Sequence, residues 1–138
     1  YKLEFNLLFK SDKLFYFKNK SIGENNNLNN NVDVTEDILI KNDYKLENNN
    51  YIKKVDNGTF KYDLYSDILY YSNENNLNLE YRLKFNDVYG KIYSNDEFIL
   101  NFNFANNVKK LTCYSESCDG YENYVNLMEN EVNNIIGK

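Results

Sequence analysis

The residues of this chain that could do chemistry are two cysteines and a scatter of carboxylates. Cys113 and Cys118 are separated by four residues. Two thiolates without histidine make a poor zinc site, which takes four N or S ligands. The spacing is also longer than the Cys-x-x-Cys of redox enzymes. The expectation is a short-range disulfide bracing a strand-to-helix turn. Two reduced, structurally neutral cysteines are the second reading, and a metal or redox role is the third. Closing so small a loop contributes only about 2 kcal/mol. The bridge would also imply an oxidising compartment, so the expected location is extracellular or at a surface.

Histidine is absent. That removes the commonest general base and the commonest neutral metal ligand, and with them every Ser-His-Asp or Cys-His arrangement. The five glycines, Gly23, Gly58, Gly90, Gly120 and Gly137, are scattered rather than clustered into a phosphate-binding loop. Carboxylate neighbours exist at Asp63 and Asp67, at Asp96 and Glu97, and at Glu116 and Asp119. All fall in expected turns or water-facing positions, whereas a catalytic acid needs burial to raise its pKa. The expectation is a chain that is not an enzyme and has no cofactor or metal.

The elements around these residues are mostly strands. Leu77, Leu79, Tyr81, Leu83 and Phe85 alternate with Asn78, Glu80, Arg82 and Lys84. Phe98, Leu100, Phe102 and Phe104 alternate around Asn101 and Asn103. A period of two with one apolar side marks a strand with one face on a core and one in water. Four strands are expected over 77–85, 88–93, 98–104 and 108–114, joined by links too short for anything but antiparallel neighbours. Gly90 marks a bulge or a close backbone approach.

Residues 1–9 and 14–17 read as a strand pair. Residues 32–40, 51–55, 59–65 and 68–71 read as further strands. Asp56-Asn57-Gly58 is the strongest hairpin signal. Residues 21–31 are asparagine-rich and polar, which predicts a mobile loop. Over 119–136 the period changes: Tyr121, Tyr124, Val125, Met128, Val132, Ile135 and Ile136 recur at steps of three and four. That is one amphipathic helix, capped by Ser117 or Asp119. Residues 1–138 are thus one β-rich domain. The fold class is mainly β: an antiparallel meander forming a sandwich or barrel-like sheet of eight to ten strands, with one C-terminal helix. In element order only, it resembles lipocalin-type barrels, without their Gly-x-Trp signature.

Composition bounds the partners. The net charge is −5, and the longest basic runs are the pairs Lys53-Lys54 and Lys109-Lys110. Nucleic-acid binding needs a basic patch, so no nucleic acid is expected. No apolar run approaches the length of a membrane span. Asparagine occupies 28 positions, and proline and tryptophan are absent; such usage looks like the product of an AT-rich genome.

Tyrosine and asparagine both suit adaptable binding surfaces. If Ile68 and Tyr70 face the core, Leu69 and Tyr71 face out and, with Tyr65, offer a binding surface. The expected function is a non-catalytic protein–protein interaction module of a secreted or surface protein. The alternatives are a carrier of a lipid or other apolar small molecule in a barrel or cupped sheet, and an accessory subunit of a larger complex.

Overall fold

A computed structural model describes residues 18–24, 33–83, 89–103, 108–115 and 117–136. The strands are β1 (Lys18–Glu24), β2 (Lys45–Glu47), β3 (Asn50–Val55), β4 (Gly58–Asp63), β5 (Ile68–Asn73), β6 (Leu77–Arg82), β7 (Tyr89–Ser94), β8 (Glu97–Asn103) and β9 (Val108–Cys113). The helices are α1 (Glu36–Lys41) and α2 (Glu122–Ile135). Strands β2 to β9 form one eight-stranded antiparallel meander, and β1 adds beside β9 to give a nine-stranded sheet. β1 and β2 are its two edges, so the sheet does not close into a barrel.

Turn chemistry sets this topology. Among the described residues, every non-glycine residue with positive φ is Asn or Asp, the types that tolerate the left-handed region best. Asn48-Asn49 (φ 50° and 70°) joins β2 to β3, and Asn95-Asp96 (φ 53° and 66°) joins β7 to β8. Two positive φ values in a two-residue turn match the twist of the flanking strands. At the β5–β6 turn, the Asn73 side-chain oxygen accepts the Asn75 and Leu77 N–H groups at 2.9 and 3.3 Å. The Asp56-Asn57 turn also forms, with Val55 paired to Gly58, but neither Asn57 nor Gly58 has positive φ. Gly58 is needed for space, since a Cβ there would lie 2.5 Å from the Ser72 carbonyl oxygen and the Tyr71 ring.

One face of the sheet carries the core. Phe60, Tyr62, Leu69, Leu79, Tyr81, Ile92, Leu100 and Phe102 are buried, and Val125, Met128, Val132 and Ile135 of α2 close over them. Leu39 of α1 and Tyr44 join the same cluster. The opposite face is the wet side usual for an antiparallel sheet. Register aligns Ile52, Lys61, Tyr70, Glu80, Lys91, Asn101 and Thr112 across it.

Four expectations change. Within the strand expected over 32–40, residues 36–40 are instead helix, as part of α1: Thr35 Oγ1 accepts the Ile38 N–H at 3.3 Å, with Glu36 and Asp37 in the first turn and Lys41 in the last. Those charges complement the helix dipole. Residues 21–24, expected as loop, belong to β1, whose backbone pairs with β9. The expected strands over 1–9 and 14–17 and the rest of the asparagine-rich loop lie outside the described residues. Phe98 and Leu100 do not share a face, because Ile99 is inserted as a bulge between the pairs Tyr93–Phe98 and Ile92–Leu100. Phe98 therefore packs against Tyr93 and Tyr114 with tilted rings, at 5.6 and 5.0 Å between ring centres. Finally, α2 buries Glu129 and Glu131 beside its apolar stripe, and its first residue has no side-chain cap.

Gly90 lies in register between Tyr81 and Phe102. The two rings stack across it at 5.8 Å and 11°, and a Cβ on Gly90 would stand 2.1 Å from Phe102 Cζ. Overpacking of this kind costs about 1–3 kcal/mol. Gly90→Ala is expected to lower stability by that amount in urea unfolding, and Phe102→Ala in the same chain should make the alanine at 90 far less costly than it is alone.

Candidate binding surfaces

The disulfide expected from the cysteine spacing is present. Cys113 and Cys118 are bonded, with Cα atoms 6.0 Å apart, and both are buried. The bridge ties the end of β9 to the segment entering α2.

Of the three residues expected to form a binding surface, the structure exposes one. Tyr65 is 98% exposed at the tip of the β4–β5 turn. Leu69 and Tyr71 are 0% and 3% exposed and face the core. The strand parity is the reverse of the one expected: Ile68 and Tyr70 lie on the outer face, half-buried. The run Ile68-Leu69-Tyr70-Tyr71 is apolar on both sides, so its own pattern does not fix its parity. Pairing does, because Tyr71 sits opposite Phe60 and Leu79, both in the core. The nearby carboxylates build the turn: Asp63 accepts the Tyr65 N–H at 2.9 Å, and Asp67 accepts the Tyr62 hydroxyl at 3.0 Å.

The structure gathers one polar cluster that the sequence did not announce. Glu131 projects from α2 into the space between α1 and β3. Its Oε2 accepts the Tyr44 hydroxyl at 2.6 Å and meets Lys53 Nζ at 2.5 Å. Lys53 Nζ also lies 5.0 Å from the centre of the Tyr44 ring and 5.7 Å from that of Phe60. Beside it, the Tyr51 hydroxyl donates to Glu36 of α1. The cluster combines a phenol, a carboxylate and an ammonium, but Tyr44 and Glu131 are 2% and 6% exposed. Its geometry is that of an internal clamp.

Burial, followed by the negative charge of Glu131, holds the Tyr44 hydroxyl well above the ordinary tyrosine range. Burial does the same for Tyr62, helped by Asp67, and for Tyr81, helped by Glu129. An unfolded tyrosine titrates near pH 10. Stability is therefore complete below about pH 10 and falls above it, because the unfolded chain releases protons that the folded chain keeps. Each group costs about 1.4 kcal/mol per pH unit in that range. Spectrophotometric titration should show these three tyrosinates forming only as the circular dichroism of the fold disappears. Their titration near pH 10 with the fold intact would contradict the burial.

Two surface clefts lie elsewhere, between the β3–β4 turn and α2. One, of about 640 Å³, runs from that turn to the β5–β6 turn. The other, of about 510 Å³, runs from Val55, Asp56 and Asn57 to Gly120, Asn123 and Leu127. They share Val55, Asp56, Asn57 and Tyr124. Tyr71 lies at the floor of the second, its ring 6.3 Å from that of Tyr124. A third feature is the edge at β2, which pairs only with β3 among the described residues. Leu46 is 57% exposed there, and Ile40 of the adjoining α1 is 54% exposed.

Among the described residues, no group of three or more His, Cys, Asp or Glu side chains could hold a metal ion, and no helix is long and apolar enough to cross a membrane. Fold and surface together define a one-sheet antiparallel β fold, covered on one face by helix, with open clefts and, among the described residues, an unpaired edge at β2. Compared with protein-family models, curated proteins and solved structures, the chain matches none of them.

Proposed function

We propose that this chain is a non-catalytic protein-interaction module of a secreted or surface protein, and that it takes an extended segment of its partner beside β2. The observation that carries this reading is the free edge itself. β2 is paired only to β3 among the described residues, and all three of its residues are exposed. Among the described residues nothing pairs with its outer backbone groups, and strand addition at such an edge is a common mode of peptide recognition. Leu46 and Ile40 add apolar contact at the same edge. The Cys113–Cys118 bridge supports an oxidising compartment. The open, surface position of both clefts favours a surface binder over a carrier that encloses an apolar ligand.

The test is affinity capture from the source organism, quantified against variants. Ile40→Asp with Leu46→Asp places charge on the edge at two exposed positions, so melting temperature should hold. The protein captured by the unaltered chain is expected to fall at least about tenfold, the effect of losing roughly 1.4 kcal/mol of contact. Equal capture by both chains would sink the proposal.

A further inference from the structure

We propose that the cleft between the β3–β4 turn and α2 is a carbohydrate site, in which an uncharged pyranose ring lies against Tyr124 and is hydrogen-bonded by Asn57, Asn123 and Asp56. This inference is independent of the β2 edge, which lies at a different part of the sheet.

Three features select this chemistry. The first is an aromatic floor with an apolar margin. Tyr124 is half-buried and lines both basins. Tyr71 supports it from beneath, with the planes of the two rings inclined by 40°. Val55, 38% exposed, and Leu127 extend the apolar surface. A sugar ring offers a C–H face to such a platform and hydroxyls around its rim.

The second feature is the set of polar groups at the margin. Asn57 and Asp56 come from the strand turn, and Asn123 comes from the first turn of α2; all three are exposed. An amide supplies both donors and acceptors, and a carboxylate accepts at two oxygens. Groups of both kinds, held on two separate elements around one aromatic ring, suit the neighbouring hydroxyls of a sugar. Asn73 is already committed. Its oxygen holds the β5–β6 turn by accepting two backbone N–H groups.

The third feature is what the cleft lacks. Of the strands that line it, β4 and β5 are paired on both sides, so they offer no backbone ladder to a peptide. Its charged side chains are Lys54, Asp56 and Glu74, a negative balance that disfavours phosphate or sulfate. At about 510 Å³ the aromatic basin has the size of a small-molecule site.

The experiment is a binding titration by ligand-observed NMR. The chain would be made in a host without N-glycosylation, because Asn57-Gly58-Thr59 is itself an acceptor sequence for a glycan. The probes are neutral hexose and N-acetylhexosamine oligosaccharides, with sulfated and phosphorylated sugars as the contrast. Saturable binding of at least one neutral oligosaccharide is expected. Asn57→Ala and Asn123→Ala should each weaken it about fivefold, the loss of one hydrogen bond. Tyr124→Ala should abolish it, and Tyr124→Phe should retain it. Absence of saturable binding, binding of the charged sugars alone, or binding unchanged in both asparagine variants would overturn the proposal. The two asparagines are exposed, so their variants remain informative even if Tyr124→Ala does not fold.

Discussion

A buried carboxylate, Glu131, is the interaction on which the arrangement of this domain depends. One 14-residue helix has to cover the apolar face of a nine-stranded sheet. Apolar contact alone would allow that helix to slide or rotate. Glu131 fixes its position, because an ionised side chain in the core is tolerable only where its partners stand. Those partners are Tyr44, from the link between α1 and β2, and Lys53, from β3. One side chain of α2 thus holds the edge of the sheet that carries the proposed strand-addition surface. The disulfide anchors the same helix from its other end. The sugar cleft lies between these two anchors, where the first turns of α2 face the β3–β4 turn.

The composition has structural uses. Asparagine and aspartate occupy every described non-glycine position with positive φ, so the tight turns of the meander rest on them. Tyrosine fills the core in place of tryptophan. Tyr44, Tyr62 and Tyr81 are among the largest fully buried side chains, and two of them spend their hydroxyls on carboxylates at strategic points, Glu131 and Asp67. Those two hydroxyls are satisfied locally, as a buried phenol requires.

Much of the scaffold was legible in the sequence. Strands β6 and β9, the one-helix C-terminus and the cysteine bridge follow from alternation, from a change of period and from a spacing. What was not legible has particular causes. Val34, Ile38 and Ile40 sit at even spacing and mimic a strand, whereas the Thr35 cap followed by Glu36 and Asp37 is the signal for α1. Ile99 looks like one more strand residue, and only its pairing shows it to be a bulge. Leu69 and Tyr71 were misplaced because both sides of their strand are apolar. Glu131 is buried against Lys53, and nothing local in the sequence marks a buried ion pair. Of the candidate sites, Tyr65 stands in an evident turn, but the cleft joins Asn57 to Tyr124 across the chain. No local pattern encodes that meeting.

The most direct test of this account is a double-mutant cycle on Lys53 and Glu131, read by urea unfolding. Lys53→Met alone leaves a carboxylate buried beside Tyr44, and Glu131→Leu alone leaves an ammonium against the core. Each is expected to cost about 3 kcal/mol, the loss seen when one half of a buried pair is removed. The combined variant should cost much less than both together, with a coupling of at least about 2 kcal/mol. Single variants within about 0.5 kcal/mol of the unaltered chain, or strictly additive losses, would contradict the role given to Glu131.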